Sequence, residues 1–99
     1  MTELLELPPV LDLVAAPALL ERFLRRRGRS LAMEAGHVQR LGAQCLQVLL
    51  AARAAWVADG QALLLRNPSE AFIAALELMG LSPEELTNHA GVACGEADK

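Results

Sequence analysis

Ninety-nine residues support one hydrophobic core and no second domain. With 54% of its residues hydrophobic the chain is not a disordered linker, and a net charge of −3 argues against nucleic acid as a partner. The longest weakly polar run, residues 43–58, is broken by Gln44, Gln47 and Arg53 and falls short of the roughly 20 apolar residues of a membrane span.

Met1-Thr2-Glu3 lacks the basic start of a secretory signal, so a cytoplasmic protein with no direct membrane insertion is expected. Charge is unevenly spread. Arg22, Arg25, Arg26, Arg27 and Arg29 cluster early, while Glu70, Glu77, Glu84, Glu85, Glu96 and Asp98 make the last third acidic. The arginine run reads as the solvated C-terminal end of a helix, where cations meet the negative end of the dipole, with a basic docking patch as the alternative.

Glu3-Leu4-Leu5-Glu6-Leu7, stopped by Pro8-Pro9, reads as a first or edge strand. Pro17 suits a first helical turn, and Leu19, Leu20, Phe23 and Leu24 recur on one helical face until Gly28. Ser30 to Ala35 reads as a second strand. The stretch "RLGAQCLQVLL", residues 40–50, reads as the start of the next helix, with Leu46, Leu49, Leu50, Trp56 and Val57 toward a sheet and Gln44, Gln47, Ala51 and Ala58 outward, ending at Gly60.

Gln61 to Arg66 is a continuous apolar run, as for a strand covered on both faces. Asn67-Pro68-Ser69-Glu70 signals a helix start with Asn67 as cap, and Phe72, Ile73, Leu76 and Met79 give the buried stripe before Gly80. Ser82-Pro83-Glu84-Glu85 repeats that start logic around Leu86. The alternation of strands and helices predicts an α/β domain with parallel neighbours and right-handed crossovers.

Chemistry is sparse. There is no GxGxxG, no GK[ST] loop and no GxSxG. His37 and His89 stand at no metal-ligand spacing, and neither cysteine belongs to a CxxC pair, so no metal, cofactor or catalytic residue is expected. Cys45 falls in a first helical turn, where thiols can be activated, but with no neighbouring base it reads as a small packed residue.

Three stretches in order, "LPPVLDLVAAPALLERF" (7–23), "LAMEAGHVQRLGAQCLQVLLAA" (31–52) and "LLLRNPSEAFIAALELMGL" (63–81), resemble the STAS domain family. That family includes anti-sigma factor antagonists and the small cytoplasmic subunit of lipid-asymmetry ABC transporters. The resemblance implies a single STAS-like domain over residues 1–86, a small mixed or parallel sheet of about four strands with helices mainly on one face; residues 87–99, with Gly91, Gly95 and no periodicity, read as a flexible acidic tail. Of the family's G-E-L-D segment only Leu11 and Asp12 match.

In the antagonists, a D-S-[ST]-G-like turn at a helix start carries a serine phosphorylated by the partner kinase. Aligned through Leu41 and Leu46, that turn is here Gly42-Ala43-Gln44-Cys45, so Gln44 stands at the phosphoserine position and cannot be phosphorylated. The resemblance implies a non-enzymatic protein-interaction module of bacterial signal transduction, binding a histidine-kinase-like or anti-sigma kinase partner, in keeping with single-domain STAS proteins of chemotaxis operons. Partner binding is expected at His37, Arg40, Gly42, Ala43, Gln44, Gln47 and Ala51.

The alternative implied function is the cytoplasmic STAS subunit of an ABC-type phospholipid transport system, docked on the ATPase. Its members usually keep a hydroxyl in the turn, against which Ala43 counts. Many members also carry an extra strand before the one at residues 3–7. The edge left here is open to pairing with another chain, so a homodimer is one outcome.

Overall fold

The computed structural model describes residues 2–89, so Cys94 and most of the expected acidic tail lie outside the described residues. Five strands alternate with three helices: β1 (Glu3–Glu6), β2 (Val10–Leu11), α1 (Ala16–Leu24), β3 (Leu31–Glu34), β4 (Arg40–Leu41), α2 (Ala43–Asp59), β5 (Leu63–Arg66) and α3 (Glu70–Leu78), followed by a 3-10 turn at Pro83–Leu86. This is the expected α/β class.

The strands form two parallel units, a three-stranded sheet in the order β1-β3-β5 and a short β2-β4 ladder. Register sets Met33 between Leu5 and Leu65, and Ala32 between Leu4 and Leu64. Alternate residues point to opposite faces, so the two rows separate. Leu5, Leu31, Met33 and Leu63 enter the core with Leu19 and Phe23 of α1, Leu46, Leu49 and Trp56 of α2, and Phe72 and Leu76 of α3. On the other face Leu4 is 50% exposed and Leu64 half-buried, with Ala32 buried between them.

Phe23 and Trp56 lock α1 to α2, edge to face at 5.9 Å. Such a pair adds roughly 0.5–1.5 kcal/mol beyond the area it buries. The Trp56 indole N–H donates to the Arg29 carbonyl at 2.7 Å, which satisfies the one polar group of the largest buried side chain.

Several local expectations change for physical reasons. Arg40 and Leu41 do not begin the helix; Gly42 donates its N–H to Leu11 O at 2.8 Å, holding them in a strand beside β2 and making Gly42 the N-cap of α2. Val57, in the last turn of α2, is 48% exposed, and Met79, the C-cap residue of α3, is 37% exposed. β5 lies at the edge of the sheet because β3 takes the centre, and it is not covered on both faces, since Leu64 and Leu65 are only half-buried.

The cap of α3 is Ser69, not Asn67: Ser69 Oγ accepts the Phe72 N–H at 3.0 Å and donates to Val38 O. Asn67 instead turns the chain at φ 50°, a conformation Asn tolerates, and its side-chain amide donates to Glu34. Ser82 and Glu85 do pair as a capping box, with the Ser82 N–H donating to Glu85 Oε2 at 3.0 Å. Asn88, expected in the tail, pairs antiparallel with Leu63 at the start of β5.

Candidate interaction surface

The β2-β4 ladder brings two chain segments to the start of α2. Leu11 accepts the Gly42 N–H, and the Cys45 thiol donates to Asp12 O at 3.2 Å, so the turn after β2 lies directly against the first turn of the helix. Asp12 is itself occupied: its Oδ1 accepts the Ala15 N–H at 3.0 Å, shaping the entry to α1. Leu13 and Val14 are then left 67% and 85% exposed.

The start of α2 carries no side-chain cap and no acidic residue in its first turn. Gly42 is at φ −95°, and a Cβ there would meet Leu11 O at an ordinary 3.5 Å, so the glycine is not demanded by backbone strain. Cys45 is buried. Burial, and secondarily the charge of Asp12, pushes its thiol pKa up, the opposite of what a reactive thiol needs.

From this start a groove runs between α1 and α2. Leu20 and Leu24 form one wall, Val48, Ala51 and Ala55 the other, and Phe23 and Trp56 the floor of a cavity of about 220 Å³. Gln44, Val48, Ala51 and Ala55 follow i, i+4, i+7, i+11 spacing and so share one helical face, leading from the helix start into the groove. The far end is closed by Arg27, whose guanidinium donates to both Asp59 carboxylate oxygens at 2.7 and 2.9 Å. That pairing raises the Arg27 pKa and lowers that of Asp59.

Leu20 and Leu24, expected in the core, are 43% and 55% exposed. The apolar stripe of α1 is wider than its contact with the sheet, and the alanines of α2 are too short to cover the remainder. Leu13, Val14, Leu20 and Leu24 are the surface residues that sequence reasoning missed. The available signal was that two of them fall just before the helix, out of phase with Leu19 and Phe23.

The expected partner-binding residues divide. Ala43, Gln44, Gln47 and Ala51 are exposed along α2, Gly42 caps it, and Arg40 is exposed on the adjoining strand β4. Gln47 lies one helical row outward of the groove face. His37 belongs to a different concavity, an open cleft of about 720 Å³ beyond the ends of β1 and β3 that Glu6, Pro9, Arg22, Gln39 and Ser69 also line.

Among the described residues no group of three or more His, Cys, Asp or Glu side chains could hold a metal. No described helix is long and apolar enough to cross a membrane. No curated protein and no solved structure matches the chain. A family model described as "Mlab, STAS domain" matches residues 2–87. With its parallel sheet, its helices and that match over nearly its whole length, the chain belongs to the STAS domain family, whose members are regulatory or interaction modules.

Proposed function

We propose that this protein is a non-enzymatic interaction module of bacterial signal transduction, a STAS-type regulator that docks a histidine-kinase-like or anti-sigma kinase partner in the cytoplasm, as in a chemotaxis system. The observation that carries this reading is the apolar groove that Leu20 and Leu24 form with Val48, Ala51 and Ala55, with Leu13 and Val14 exposed just before α1. Gln44, in place of the family's phosphoserine, precedes Val48 by one turn on the same helical face. A patch of this kind on a small domain marks a docking site.

A phosphate at a helix start would bring roughly −1.5 to −2 charges to the interface and reverse binding. Gln44 has no hydroxyl to carry one, so docking here is constitutive or controlled through the partner. The small side chains of Ala51 and Ala55 let a partner helix approach closely.

The test is an affinity pull-down of the tagged chain from its native cells, with Gln44→Glu and Ala51→Arg beside it. Enrichment of a histidine kinase or anti-sigma kinase that both variants lose supports the reading, while both variants binding normally would move the interface elsewhere. The family description favours a second reading, the STAS subunit of an ABC-type phospholipid transport system. Recovery of an ABC ATPase with its membrane partner would establish that one.

A further inference from the structure

The cleft that holds His37 lies outside the carboxyl ends of β1 and β3, the position at which open α/β sheets receive their ligands, and its volume of about 720 Å³ is in the range of small-molecule sites. Its rim is tied together by hydrogen bonds. Leu7 donates its N–H to Glu34 O at 2.9 Å, and Gln39 and Arg40 donate theirs to Pro9 O at 2.7 and 3.1 Å. Ser69 donates its N–H to Ala35 O at 3.1 Å and its hydroxyl to Val38 O. The segments that follow β1, β3 and β5 are thereby cross-linked, and Pro8 and Pro9 stiffen the first of them, so the cleft holds its shape before anything enters it.

The polar side chains that line it are idle. Among the described residues Glu6, Arg22, His37 and Gln39 engage in no ion pair and no side-chain hydrogen bond. Arg22 is the exception within its own run, since Arg25 pairs with Glu21, Arg26 and Arg29 with Glu3, and Arg27 with Asp59. Glu6 and Arg22 line the same cleft without reaching each other, so both charges remain for a ligand. Leu7 and Val38 also line it but are 2% and 1% exposed, so little of the core opens there.

We infer that this cleft binds a small zwitterion, a free α-amino acid or a short peptide, with its carboxylate on the Arg22 guanidinium and its ammonium on Glu6. A guanidinium takes a carboxylate through two parallel N–H bonds, a match of shape as well as charge. His37 and Gln39 supply a donor and an acceptor each for an amide or a polar side chain of the ligand.

Ligands of a single sign fit less well. A phosphate-bearing molecule would set its second negative charge against Glu6 with one arginine to offset it, and a simple cation would face Arg22 in the same way; a ligand of both signs satisfies both groups. None of the side chains of the α1-α2 groove takes part, so the inference is independent of what docks there.

Isothermal titration of the full chain with the common amino acids and a set of dipeptides tests this. At least one zwitterion should bind saturably, while its amide, which lacks the carboxylate, and its N-acetyl form, which lacks the ammonium, should not. Tighter binding by dipeptides than by any free amino acid would assign the peptide, and the reverse the amino acid. Arg22→Gln and Glu6→Gln should each weaken binding about tenfold or more, the loss of one charge-assisted contact. Their circular dichroism and Tm should not change, since neither side chain has a partner among the described residues. Arg66→Gln, an exposed charge outside the cleft, should bind as the wild type does. Amide NMR spectra of the wild type give a second readout, with ligand-induced shifts expected at Gly36, His37 and Gln39. No saturable binding of any zwitterion at millimolar concentration, equal binding of the blocked derivatives, shifts confined to residues outside the cleft, or folded Arg22 and Glu6 variants that bind normally would each overturn the inference.

Discussion

Trp56 joins the stability of the domain to the floor of its groove, and Trp56→Phe measures that coupling. The substitution keeps an aromatic ring against Phe23 but removes the indole N–H that the Arg29 carbonyl accepts at 2.7 Å. Leaving that acceptor without its donor costs about 1–1.5 kcal/mol. The void left by the smaller ring, at a site with no solvent exposure, costs about 1 kcal/mol more. The total of about 2–3 kcal/mol is a large share of the 5–15 kcal/mol typical of a domain, and corresponds to a fall in Tm of roughly 10–20 °C. Urea titration followed by far-ultraviolet circular dichroism reads it. A cost below about 0.5 kcal/mol, within the range of an ordinary surface substitution, would refute the buried, hydrogen-bonded indole.

Three further outcomes follow from particular contacts. Leu63→Asp places a carboxylate in the core and should abolish folding, whereas Leu64→Asp, half-buried on the opposite sheet face, should cost markedly less and keep a native circular dichroism spectrum; equal behaviour of the two would overturn the strand register. Ser69→Ala removes both the cap of α3 and its bond to Val38, and should cost about 1–2 kcal/mol in urea titration, against no change if Asn67 were the cap. Asp59 has its pKa lowered in the fold by Arg27, so its contribution is complete above the ordinary value of 3.8 and is lost as pH falls through the lower folded value. The Asp59→Asn variant should therefore lose that part of the acid-limb slope in Tm against pH; an unchanged slope would show that the ion pair does not form.

Residues that act through local chemistry were readable from order alone. Pro17 in the first turn of α1, the Ser82-Glu85 capping box and the glycines at positive φ closing α2 and α3 depend only on neighbours a few positions away. The alternation of apolar segments likewise determined the α/β class and the parallel connections, because each period admits one way of burying its face. The missing hydroxyl at Gln44 is a fact of the sequence and needs no coordinates.

Tertiary structure decided what depends on which elements become neighbours. Leu63, Leu64 and Leu65 are chemically identical, yet only Leu63 is fully buried: Leu64 points to the sheet face away from the core, and Leu65, on the core side, packs only partly against it. Arg40 and Leu41 read as helix until β2 supplies a strand for them to pair with. Leu20 and Leu24 match Leu19 and Phe23 in hydropathy, and they line a groove only because α2 presents alanines beside them. The sequence by itself determined the elements and the loss of the phosphorylatable residue. Long-range packing alone decided which apolar side chains remain in solvent, because burial is set by the partner a face meets and not by the residues that compose it.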